Sequence, residues 1–251
     1  MNRREKAEFI ILKGNKLFVW IIMGVLVIIG YNVFTVATDM QTSVEGGYYS
    51  YTMMTLSYLL GIVAPMTLGS LLGGTDENVG MMEYKLVNQT AKQWGVFKIT
   101  LLIKLIMVFV ISLNIVGIAL DIYKGTMDGG YQINSCLLIK RFAMVIFIWF
   151  FWGCICFTMA LLLKSSGFSL IIALCIYFGE QYIGQYIKVP WGILWNQKGI
   201  EYHFFNNQNI PFGVVQSTYN NFYFSIIYMI LMLLACLIII FSYLKVKYPK
   251  K

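Results

Sequence analysis

Residues Ile99–Leu120 read ITLLIKLIMVFVISLNIVGIAL, 22 positions that carry a single charge, Lys104. A helix of about 20 apolar residues crosses a hydrocarbon core of about 30 Å, so this run by itself calls for a bilayer. Five further runs of spanning length surround it: Leu17–Ala37, Tyr51–Leu72, Phe142–Leu163, Gly167–Ile187 and Phe222–Leu244. The six together take up about half of the 251 residues. The chain is 59% apolar and 12% charged, whereas soluble domains are about 45–50% apolar and roughly a quarter charged. Collagen-like, disordered, disulfide-framework and cytosolic-enzyme classes are excluded. The expected fold is an all-α polytopic membrane protein with six transmembrane helices. With no Pro-, Gly- or Ser-rich linker and no low-complexity tract, residues 1–251 read as one membrane domain.

The distribution of charge sets the expected orientation. Of 19 Lys and Arg, thirteen fall before the first run, after the second, after the fourth or in the tail. Arg3, Arg4, Lys6, Lys13 and Lys16 lead, and Lys85, Lys92, Lys98, Lys164, Lys245, Lys247, Lys250 and Lys251 follow. The other side holds Lys124, Lys140, Arg141, Lys188 and Lys198. Basic residues are retained in the cytoplasm, which predicts cytoplasmic termini and a cytoplasmic Gly73–Lys98 loop. The net charge of +8 is spread over span flanks instead of one patch, so nucleic acid is not an expected partner. Cleavage of the first run as a signal peptide would leave five spans, but its length exceeds the usual apolar core of about 7–15 residues.

The non-spanning pieces are a leader, 1–16, the loop 73–98, a short turn Lys164–Ser166, and outer segments 38–50, 121–141 and 188–221. None is long enough for a soluble catalytic domain. Phe9-Ile10-Ile11-Leu12 within the basic leader suits an interfacial helix. In the loop, Thr75 or Asp76 is expected to cap a helix, with Asp76 and Glu77 in its first turn. Val79, Met82, Leu86 and Val87 then form an apolar stripe, with Glu83 and Lys85 on other faces. Pro65 is expected to kink the second span, and Gly69 and Gly73 form a G-x-x-x-G that allows close helix approach. Lys104 lies within snorkelling reach of the interface.

In the fifth run, Gly179-Glu180-Gln181-Tyr182-Ile183-Gly184-Gln185 places polar groups at membrane depth, where they face protein or water. The stretch from Gly179 through Trp195 is expected to break into a short helical hairpin dipping into the outer leaflet, with Pro190 ending whatever precedes it. Tyr182, Tyr186, Trp191 and Trp195 would sit at the headgroup boundary. Two alternatives stand beside it: a transport-pathway role for Glu180, or a continuous helix to Ile187 followed by an irregular loop.

Catalytic patterns are missing. One histidine, His203, precludes H-E-x-x-H and two-histidine metal sites; no serine lies in G-x-S-x-G; Gly73-Gly74-Thr75-Asp76-Glu77-Asn78 lacks the P-loop lysine and spacing. The five cysteines form no metal or disulfide framework. No metal site is expected, and transport or membrane assembly remains.

The layout resembles that of type-2 ABC exporter permeases: six spans, an interfacial leader, a cytoplasmic amphipathic helix between spans two and three, and a long outer segment before the last span. Glu77, Gly80, Met82 to Val87, Lys92 and Lys98 are similar to the family's local pattern. Met81 departs from a common Thr, Lys92 from a common Arg, and a usual Pro near Gln89 is absent. The short length and the Ile-, Asn- and Lys-rich composition are similar to those of bacteriocin and lantibiotic self-immunity transporters of Gram-positive bacteria. The resemblance implies a half-transporter that pairs with a second, identical or sister, permease subunit in the lipid bilayer. It would dock on separate ABC ATPase subunits through Glu77, Val79, Met82, Glu83 and Leu86. ATP and Mg would be bound there and not by this chain, which would not itself be an enzyme. An amphipathic substrate, such as an antimicrobial peptide, would leave past an outer gate of Glu180, Gln181, Gln185, Trp191 and Trp195. The rival classes are an ion-gradient-driven secondary transporter using Glu180 and a non-transporting membrane scaffold.

Overall fold

The computed structural model describes residues 10–12, 14–16, 19, 20, 23, 24, 27, 30, 62–78, 90–128, 135–184, 186–205 and 221–248. Six helices organise them: α1 (Val63–Asn78), α2 (Ala91–Asp128), α3 (Ser135–Leu163), α4 (Ser166–Ile183), α5 (Ile193–Phe205) and α6 (Phe222–Lys247). No strand occurs among the described residues. Four stretches, Ala91–Ala119, Ile139–Leu163, Ser166–Ile183 and Phe222–Lys247, are long and apolar enough to cross a membrane. The chain is thus a helical membrane protein.

Helix starts follow capping chemistry. Thr90 and Gln93 form a reciprocal pair at the head of α2, Thr90 N donating to Gln93 Oε1 and Gln93 N to Thr90 Oγ1, the arrangement that satisfies two orphan donors at once. Ser165 caps α4 through Phe168 N, and Asn221 caps α6 through Tyr223 N. Between α3 and α4 the chain reverses at Lys164, whose φ of 54° is the left-handed conformation that commonly closes a helix. Polar residues inside the apolar helices turn back on their own backbone: Thr67 Oγ1 donates to Val63 O, Ser112 Oγ to Val108 O, Asn114 Nδ2 to Val110 O and Thr158 Oγ1 to Cys154 O. Such bonds satisfy groups that lipid cannot.

The helices depart from the expected span limits. α2 has 38 residues, about 57 Å at 1.5 Å per residue, and so incorporates Ala91–Lys98 and Asp121–Asp128, both read from sequence as loop. α3 likewise begins at Ser135 instead of Phe142. α1 runs on through Gly73 and Gly74 to Asn78, so neither Thr75 nor Asp76 starts a new helix, and Asp76 lies near the end of α1. α4 continues unbroken past Gly179 to Ile183. Hydropathy marks what lipid tolerates, whereas hydrogen bonding and packing decide where a helix ends.

The described residues divide into two compact units, one drawing on the chain up to Leu68 and on Leu101–Phe150, the other on Gly69–Thr100 and Phe151–Lys251. In the first, Leu102, Ile106, Val110, Ile148 and Trp149 are buried. In the second, the core gathers Leu71, Leu72, Trp94, Trp152, Phe157 and Ala160. There α1 and α3 meet through glycine. A β-carbon on Gly69 would overlap the Gly153 carbonyl, and one on Gly73 would lie 2.5 Å from Phe157 O. Gly74 faces the backbone of Ser166 in the same way, at 2.7 Å from its nitrogen. Two adjacent glycines lower helix propensity, but here their bare faces let backbones touch, and the helix continues through them. Pro65 lies in the first turn of α1, and the part of the second run before Ile62 is outside the described residues.

Candidate functional site

Three polar constellations stand out in the second unit. The first joins the end of α1 to the start of α2. Trp94 and Lys98 are four residues apart and therefore share one face of α2. That face meets Asp76: Trp94 Nε1 donates to Asp76 Oδ2 at 3.0 Å, and Lys98 Nζ lies 3.0 Å from the same oxygen. The ammonium also sits 5.6 Å from the centre of the Trp94 ring, and Phe157 packs on that ring from α3, with centroids 6.1 Å apart. Lys98 is 0% exposed and Asp76 2%. An ion pair this buried fixes geometry more surely than it adds stability. It ties together the two helix ends from which the 79–89 segment departs. Of the residues read as a docking face, Glu77 lies on α1, and Val79, Met82, Glu83 and Leu86 lie outside the described residues.

The second constellation is a helical hairpin of α4 and α5. Glu180, on the last turns of α4, reaches over to the head of α5, where Oε1 accepts from Ile193 N at 3.0 Å and Oε2 from Leu194 N at 2.7 Å. A carboxylate at a helix N-terminus satisfies orphan donors and complements the dipole. Glu180 is therefore a tertiary cap that closes the hairpin, not the mark of a break at Gly179. Gly192 makes room for it, since a β-carbon there would approach Oε2 to 2.7 Å. The turn is held from other sides as well: Tyr228 Oη donates to Trp191 O at 2.7 Å, and the Trp191 and Phe224 rings meet edge to face. Asn196 Nδ2 donates to the carbonyls of Pro190 and Gly192. Pro190 accordingly leads into α5.

The structure separates the two hairpin tryptophans that sequence had grouped. Trp191 is 72% exposed at the turn, whereas Trp195 is 5% exposed and lies over Gly184. Gln181 is half-buried on α4, and Gln185 is outside the described residues.

Deeper along α5 lies a chain of polar groups that the sequence reading passed over. Trp152 Nε1 on α3 donates to Gln197 Oε1 at 2.6 Å, and Gln197 Nε2 donates to Glu201 Oε1. Tyr177 on α4 packs edge to face on Trp152 at 5.6 Å. Burial pushes the Glu201 carboxyl up to about 7, against the opposing pull of Gln197 and Lys198. Burial in turn lowers Lys198, with Glu201 acting the other way. The sequence did hold a signal: Gln197 and Glu201 are four apart and so share one face of a helix.

No group of three or more His, Cys, Asp or Glu among the described residues is arranged to hold a metal ion. Cys154, Cys156, Cys175 and Cys236 are free thiols. Comparison of the chain with family models, curated proteins and solved structures finds no match.

Proposed function

We propose that this chain is the transmembrane subunit of an ATP-driven exporter, a type-2 permease with six spans, cytoplasmic termini and one membrane domain. It docks on separate ATPase subunits, pairs with a second permease subunit and expels an amphipathic substrate, with antimicrobial-peptide immunity as the biological setting. The observation that supports this most is the Asp76–Trp94–Lys98 clamp. A segment carrying an apolar stripe, anchored at both ends by a buried ion pair, is built to pass a push from a partner into α1 and α2. ATP and Mg belong to that partner, and the present chain performs no chemistry. The α4–α5 hairpin, closed by Glu180, then serves as the outer gate.

The reading is tested by whether the chain co-purifies with a Walker-motif ATPase; a gene for such an ATPase beside this one would support it. Met82→Asp should abolish ATPase binding and stimulation while membrane insertion survives, because an unpaired carboxylate in an apolar contact costs several kcal/mol. Normal stimulation by that variant would refute docking through this stripe. Topology is checked with an impermeant thiol reagent on intact cells: Phe212→Cys should be modified and Lys92→Cys protected.

A proton-coupled transporter is the second reading, and Glu201 favours it. Its carboxyl titrates near neutrality within a hydrogen-bonded chain, whereas Glu180 is committed to capping α5. Proton-driven substrate movement by the isolated chain in proteoliposomes would select this reading over the first.

A further inference from the structure

A cleft of about 550 Å³ opens between the start of α2 and the end of α6, lined by Thr90, Ala91, Lys92, Phe241, Leu244, Lys245 and Tyr248. Its inner limit is set where Gly95 admits Leu244 and Phe241: a β-carbon there would lie 2.9 Å from Leu244 Cδ1. Two chemistries meet in it. Phe241 and Leu244 form an apolar floor, while Lys92 and Lys245 are exposed at the rim and have no ion-pair partner among the described residues. Lys247, in the same last turn, is occupied differently, over the rings of Tyr243 and Tyr248 at 5.3 and 5.2 Å. The first turn of α2 adds the positive end of its dipole.

We infer that this cleft binds one anionic phospholipid, with the phosphate held by Lys92 and Lys245 and an acyl chain leaving over Phe241. The path of the chain decides for a lipid over a free anion. Leu234, Ile238, Phe241, Lys245 and Tyr248 follow one another at intervals of three or four, a single stripe of α6. Leu234 and Ile238 are 49% and 65% exposed, so an apolar track runs from the cleft along a spanning helix and ends at a cation and a tyrosine. Soluble phosphate would engage the lysines alone, whereas a lipid joins its phosphate at the lysines to a chain lying over Phe241 and along that track. A zwitterionic lipid would cover the track but bring no net negative charge to the two ammonium groups. The volume lies within the roughly 300–1,000 Å³ of ligand sites, enough for a headgroup and the first part of a chain. The inference depends only on the chain's being a membrane protein, and it stands whether or not the exporter reading does.

The test uses the full-length chain in phosphatidylcholine nanodiscs titrated with phosphatidylglycerol, with binding read from the thermal unfolding midpoint. Phosphatidylglycerol should raise the midpoint; further phosphatidylcholine and inorganic phosphate should not. Each lysine near a charged surface contributes about fivefold in affinity, so Lys92→Gln/Lys245→Gln should weaken phosphatidylglycerol binding about 25-fold without shifting the midpoint in phosphatidylcholine alone. Lys247→Gln should respond as the unaltered protein does. Equal weakening by Lys247→Gln would mean diffuse attraction and overturn the site, as would an unshifted midpoint with phosphatidylglycerol. A full shift with inorganic phosphate alone would overturn the lipid as its occupant.

Discussion

Replacing Asp76 by alanine is the most demanding test of the clamp between α1 and α2. At 3.0 Å from Lys98 Nζ the pair attracts by about 5–6 kcal/mol at an effective dielectric of about 20, most of it offset by the cost of taking both charges out of water. Removing one partner forfeits the attraction and keeps the other's desolvation, because Lys98 is 0% exposed. Asp76→Ala should therefore destabilise by about 3–5 kcal/mol, including the acceptor lost to Trp94 Nε1. Asp76→Asn keeps an acceptor for the indole and should fall short of the alanine variant. Asp76→Leu/Lys98→Met removes both charges and should recover most of that loss, leaving about 1–3 kcal/mol for the Trp94 indole N–H that is then without its acceptor. The assay is denaturant unfolding in detergent, followed by tryptophan fluorescence, with insertion checked separately. A loss below about 1 kcal/mol for Asp76→Ala would refute the reasoning, as would a double variant no better than the single one. If the proposed coupling role is right, the double variant folds but couples poorly, because a polar link of fixed geometry has been replaced by plastic packing.

Three further outcomes follow from particular contacts. Gly73→Ala should cost about 1–3 kcal/mol by overpacking against Phe157 O, whereas Gly179→Ala, which meets nothing within 4 Å, should stabilise α4 by about 0.5–1 kcal/mol; thermal scans of the two variants check the contrast. Glu180→Gln keeps one acceptor of two and loses the charge, so it should cost about 1.5–3 kcal/mol and speed proteolysis at the hairpin turn, measurable by limited digestion in detergent. Glu201 has a folded pKa raised to about 7 from 4.5; the folded state therefore holds its proton more tightly, and its contribution is fully present below about 4.5 and declines as pH rises through about 7. Unfolding midpoints measured across that window should fall with pH in the parent relative to Glu201→Gln.

The amino-acid order determined the class of this protein with little help. Apolar runs of spanning length carry their meaning locally, because lipid acts on each helix separately and asks only for length and absence of charge. Gly69 and Gly73 were legible as a contact surface for the same reason, since four-residue spacing is a property of one helix. What only the tertiary structure decided are the pairings across elements. Asp76 looked like a first-turn residue of a new helix because local sequence favours acids there; the buried partners that hold it, Trp94 and Lys98, lie 18 and 22 residues away. Glu180 looked like a disruption in α4 until the head of α5 supplied two backbone donors. Glu201 and Gln197 were unremarked because the chemistry of a carboxyl depends on its burial, and burial against Trp152 and Tyr177 is decided by helices that approach through space. A sequence states which groups a chain owns, and folding selects which of them meet away from water, where each polar contact is strong and each missing one is costly.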